Sequence, residues 1–134
     1  MRIARALIAV AIAVCGCVPP PDEQPIRFDE EPVSLRSEHG LAVARVTLEG
    51  DAIVRGENVF LVELTVLGGG AATLTSASGF MPAHGHGTQA VVERPGESYR
   101  VRDLLLFMPG RWEVSFALDV AGRADGVAFP VDVP

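Results

Sequence analysis

From Val33 onward, apolar and polar residues alternate in short runs, and no segment sustains a period of 3.6. The clearest run is Arg111 to Val120. Trp112, Val114, Phe116, Leu118 and Val120 share one phase there, and Arg111, Glu113, Ser115, Ala117 and Asp119 the other. That is the period of a strand with one buried face. Asn58 to Leu67 is apolar in both phases except at Glu63 and Thr65, which predicts a central strand. Leu41 to Leu48, Thr88 to Glu93, Tyr99 to Phe107 and Val127 to Val133 continue the series, with weaker runs at Val33 to Glu38 and Ala71 to Thr75. Gly50, Gly56, Gly68-Gly69-Gly70, Pro95-Gly96, Pro109-Gly110 and Gly122 punctuate the gaps.

About seven short strands with turn signals between them predict an all-β fold, an immunoglobulin-like antiparallel β-sandwich, over residues 33 to 134. Trp112 is read as the core anchor between its sheets, and Tyr99 as a corner cap through its hydroxyl. Asp103 interrupts the phase shared by Tyr99, Val101, Leu105 and Phe107, while Leu104 and Leu106 are apolar on the other side. Either the strand carries a bulge there or both of its faces are covered. An inward Asp would need hydrogen-bond partners, most cheaply backbone amides.

The amino-terminal residues follow another logic. Arg2 and Arg5 precede an apolar run from Ala6 to Val14, and Gly16 stands before Cys17, the pattern of an export signal over residues 1 to 17. The run falls short of the roughly 20 residues that span a bilayer. Val14-Cys15-Gly16-Cys17 resembles the bacterial lipobox, with Cys17 as the residue that receives the lipid. The resemblance implies an acylated amino terminus, anchored in the bilayer by more than one chain and facing the periplasm of the cell envelope. The alternative is an ordinary secretory signal with two incidental cysteines. Residues 18 to 32 carry five prolines and five acids and read as a semi-extended tether.

Export chemistry changes the inventory of side chains. Cys15 leaves with the signal and Cys17 carries lipid, so the mature chain has neither a free thiol nor a disulfide. A blue-copper centre and cysteine-based zinc sites are excluded. Loss of Arg2 and Arg5 leaves 9 of the 11 basic residues against 17 acids, a net charge of −8 with His neutral. No nucleic-acid partner is expected of such a surface.

Two of the three histidines and two of the three methionines lie in or near two proline turns. These are Met81-Pro82-Ala83-His84-Gly85-His86-Gly87 and Met108-Pro109-Gly110-Arg111-Trp112. Thioether and imidazole are ligands for soft and borderline ions, Cu(I) above all, whereas Cu(II) prefers imidazole with oxygen. Pro82 fixes one φ, the glycines permit a sharp bend, and in an extended conformation His84 and His86 project to the same side. Met81 and Met108 meet if their loops share one end of the sandwich. The candidate metal ligands are therefore His84, His86, Met81 and Met108, with His39 as a distant third nitrogen. The same residues also read as a rigid turn that serves the fold or an envelope protein partner, its histidines bonded to their own loop and its methionines filling the end of a core.

Together with Tyr99-Arg100-Val101-Arg102-Asp103-Leu104, these turns resemble the bacterial YtkA-like domain, related to the FixH-like proteins, over roughly residues 41 to 120. The resemblance implies an envelope-facing immunoglobulin-like sandwich, and the FixH-like relatives are linked to copper delivery for respiratory oxidases. This chain differs from them in carrying a lipoprotein signal where they carry a membrane helix. No catalytic activity is expected. There is no H-E-x-x-H, G-x-S-x-G or phosphate-cradling motif, and Ser76 and Ser78 beside Gly79 read as turn residues. A metal hydrolase needs three protein ligands and an open position, for which only His84 and His86 offer themselves.

Overall fold

The computed structural model describes residues 24–29 and 31–134. The expected export signal, Cys17, and residues 18–23 and 30 of the expected tether lie outside the described residues. No helix among the described residues is long and apolar enough to cross a membrane.

Among the described residues, nine strands form two antiparallel sheets packed face to face as an immunoglobulin-like sandwich. They are β1 (Val33–Arg36), β2 (Ala42–Leu48), β3 (Gly56–Val66), β4 (Ala72–Met81), β5 (His86–Gln89), β6 (Val91–Glu93), β7 (Tyr99–Leu106), β8 (Gly110–Val120) and β9 (Arg123–Val133). One sheet has the order β1-β2-β3-β7-β6 and the other β5-β4-β8-β9. In immunoglobulin terms β2-β3-β7-β6 take the places of A-B-E-D, and β4-β8-β9 those of C-F-G.

Alternation decides what goes inside. In β8, Trp112, Val114, Phe116, Leu118 and Val120 are all buried, as their phase predicts. Phe60, Phe116 and Phe129 meet edge to face with centroids 5.5 to 6.2 Å apart, joined by Phe28 from the amino-terminal segment. Trp112 is fully buried, and its indole N–H donates to the Met108 carbonyl at 2.9 Å. Residues 24–29, read from composition as the end of a tether, lie against the sandwich. Phe28 is in the core, and the Ile26 N–H bonds the Pro130 carbonyl at 2.8 Å.

A bulge on β7 and another on β4 break the alternation and re-aim the side chains at one end of the sandwich. On β7, Arg102 and Asp103 together oppose Val59, and Asp103 takes φ +57°, a left-handed conformation that Asp tolerates. The shift puts Leu104 and Leu106 inside and turns Leu105 and Phe107 out. On β4, Thr75 is the extra residue between Leu74↔Leu118 and Ser76↔Ala117. Beyond it Ala77, Gly79 and Met81 face the core, and Phe80 faces out.

Three expectations are corrected. The weak run ending at Thr75 is a ten-residue strand, so Ser76 and Ser78 are strand residues and not part of a turn. Thr88 to Glu93 is two strands in different sheets, with the crossover at Ala90, whose N–H bonds the Ala77 carbonyl. Tyr99 does not cap a corner: its hydroxyl is buried without a hydrogen-bond partner among the described residues, and the Arg94 guanidinium lies 4.9 Å over its ring.

Candidate metal site

Residues 82–85 form a tight turn between β4 and β5. The Met81 carbonyl accepts from the amides of His84 at 3.3 Å and Gly85 at 2.9 Å, and Gly85 supplies the positive φ of +65° that closes the turn. His84 is thus a turn residue, and only His86 begins a strand. The extended geometry expected from their spacing is not the one that forms. The turn itself brings the rings together: their centroids are 6.1 Å apart and their planes 22° from parallel, with both side chains exposed.

Met81 is the register partner of His86 across β4 and β5. Directly opposed residues share a face of the sheet, with Cβ atoms about 5 Å apart. Met81 itself is only 3% exposed, so its side chain closes the end of the core. Its methyl reaches the β7–β8 loop, where a Cβ built on Gly110 would come within 2.8 Å of Met81 Cε. Met108, two residues earlier in that loop, is half-buried against the core and accepts from Trp112 through its carbonyl. The two Met-Pro loops therefore share one end of the sandwich, the condition under which Met81 and Met108 are expected to meet.

Phe107 completes the arrangement, and the sequence did not single it out. Its ring lies 5.5 Å from that of His86 and 5.3 Å from that of Trp112, both edge to face. The backbone holding it is itself tied down. Arg55 Nε donates to the Phe107 carbonyl at 2.9 Å, and the buried Asn58 side chain bonds the backbone of Val54 and Gly56 on either side of Arg55. The signal was present in the alternation that Asp103 interrupts, because the bulge decides whether Phe107 points in or out.

His39 does not belong to this group. Its amide bonds Asp125 Oδ1 at 2.9 Å, and Asp125 pairs with Leu118, eight residues along β8 from Gly110. That separation is about 26 Å. Asp125 is 9% exposed. Burial pushes its carboxyl up, but hydrogen bonds from the Ser37 side chain and the His39, Gly126 and Leu41 amides outweigh this and hold it at about 2.

The donor set at the site end is two exposed imidazoles and one core thioether opposite one of them, with a second thioether in the adjoining loop. Among the described residues no three of His, Cys, Asp and Glu are grouped to hold an ion. A soft ion fits the set better, since it accepts sulfur and few ligands. Comparison of the chain with family models, curated proteins and solved structures finds no match.

Proposed function

We propose that this is a lipid-anchored, periplasm-facing β-sandwich of YtkA-like type that binds copper, Cu(I) in preference to Cu(II), and buffers it or passes it on. His84 and His86 supply the nitrogen ligands and Met81 the sulfur, with Met108 as a second sulfur from the β7–β8 loop. The observation that carries the reading is the cross-strand pairing of Met81 with His86, with the His84 ring 6.1 Å from that of His86. Imidazole and thioether on register partners at the end of an apolar core suit Cu(I), a soft ion that needs neither an anionic ligand nor a full coordination shell. Phe107 and Trp112 would shield one side of that ion from water.

A competition titration with a chromogenic Cu(I) chelator tests it. Replacing His84 and His86 together by Ala is expected to weaken Cu(I) affinity by at least 100-fold while leaving the melting temperature nearly unchanged, because both side chains are exposed. Unchanged affinity with a lowered melting temperature would refute the metal reading.

That result would favour a second reading, a non-catalytic interaction module of the envelope in which the same turn is a rigid contact surface. The exposed Phe80 and Phe107, 47% and 42% accessible, are the observation behind it.

A further inference from the structure

Phe107 and Met108 lie past the end of β7, where the ladder with β3 has stopped: the last register pair of the two strands is Gly56↔Leu106. Beyond that pair the β3 side folds back on a side chain. The buried Asn58 amide accepts from the Val54 N–H at 3.0 Å and donates to the carbonyls of Val54 at 2.8 Å and Gly56 at 3.2 Å. This closes the β2–β3 loop on itself and fixes Arg55 between its two bonded neighbours.

Two side chains hold the β7–β8 loop in place of a ladder. Arg55 Nε donates to the Phe107 carbonyl at 2.9 Å, and the Trp112 indole N–H donates to the next carbonyl, that of Met108, also at 2.9 Å. Trp112 is fully buried and belongs to the core whatever the loop does. Arg55 is exposed, and among the described residues it forms no ion pair that would account for its position. A hydrogen bond from a charged donor is about twice as strong as a neutral one, so the contact with the Phe107 carbonyl is a real anchor.

What this anchor fixes is a ring. Phe107 is 42% accessible, yet it stands edge to face with both Trp112 and His86. The exposed His86 ring is therefore confined on two sides, by Phe107 and by the near-parallel ring of His84. An exposed side chain otherwise changes rotamer within nanoseconds. Ordering one such side chain before a ligand arrives is worth roughly 2- to 10-fold in affinity.

We propose that Arg55 is a positioning residue of the copper site: without ligating the ion, it holds the Phe107 carbonyl, sets the Phe107 ring against His86 and so orders that imidazole in advance. The proposal rests on the copper reading for what His86 binds. The ordering of the imidazole needs no ion.

The test compares the full chain, purified in detergent, with Arg55→Ala, Arg55→Lys, Phe107→Leu and the double variant of Arg55→Ala with Phe107→Leu. Without copper and at constant pH, nuclear Overhauser cross-peaks between the Phe107 and His86 rings are expected in the wild type and in Arg55→Lys, whose ammonium can donate the same bond. They are expected to disappear in Arg55→Ala. With copper, the chelator titration is expected to show Cu(I) affinity weakened roughly 2- to 10-fold in Arg55→Ala and recovered in Arg55→Lys. Adding Arg55→Ala to Phe107→Leu is expected to cost nothing further, because the arginine acts through that ring. An arginine that served only the fold would cost the same with or without Phe107, and one that acted through its charge would tighten Cu(I) binding when removed. Either result, or cross-peaks that persist in Arg55→Ala, overturns the proposal. If the wild type itself binds no Cu(I), the copper reading falls, and the cross-peaks still decide whether Arg55 orders His86.

Discussion

Asp125 ties two parts of the chain together through one carboxylate. It accepts from the amides of His39 and Leu41 in the β1–β2 connection and from its own neighbour Gly126 on β9. Its folded pKa, about 2, lies below the ordinary aspartate value of 3.8. A depressed carboxylate stabilises the fold fully above its unfolded pKa, and that stability is lost as pH falls through the folded value. The window is therefore between about pH 4 and pH 2, and a shift of this size corresponds to roughly 2 kcal/mol. Urea denaturation of Asp125→Ala should show a loss of about that size at pH 7 that shrinks toward zero near pH 2. A loss independent of pH would mean that the carboxylate acts through packing alone. No such clasp could be read from the sequence, where Asp125 is one of 17 acids and its partners His39 and Leu41 lie more than 80 positions away.

At the scale of elements, the apolar pattern made β2, β3 and β8 legible, and β7 as well despite its bulge at Asp103, whereas β4 was not. β2, β3 and β8 fall within two residues of their expected limits. β4 was truncated because Thr75 shifts its phase midway and Ser76, Ala77, Ser78 and Gly79 offer little apolar contrast. Small residues are required there: a Cβ on Gly79 would come within 3.0 Å of Leu106 and 3.1 Å of Thr88. The same bulges build the site. Without the extra residue on β4, Met81 would face solvent, and without the one on β7, Phe107 would point into the core.

Gly110 offers a way to disturb the site without removing any ligand. It sits at φ +122°, and an added Cβ would strike the Met81 methyl, the free end of a flexible side chain. Gly110→Ala is expected to cost about 1–3 kcal/mol, chiefly backbone strain, and to weaken Cu(I) binding several-fold by displacing the thioether. Calorimetric melting and the chelator titration read the two effects separately. Lost stability with unchanged affinity would remove Met81 from the ligand set.

In the whole molecule, the sandwich sorts chemistry between its two ends. The His39 and Asp125 end is a structural closure. The other collects the two Met-Pro loops, the exposed histidines, Phe107 and residues 25–29. The motif's residues were legible in the sequence, but their meeting at one end was an open condition that the pairing of β4 with β5 and β8 supplies. Their roles were not, because burial divides them: the histidines lie outside, Met81 belongs to the core and Met108 is between. The central claim is that a core thioether and surface imidazoles hold one ion. X-ray absorption at the copper edge of the Cu(I)-loaded protein measures this directly, in the wild type and in Met81→Leu, a swap that conserves volume in the core. Nitrogen and sulfur scatterers are expected around copper in the wild type, with sulfur reduced or lost in the variant. A first shell without sulfur, or the same sulfur signal in both proteins, would contradict that claim.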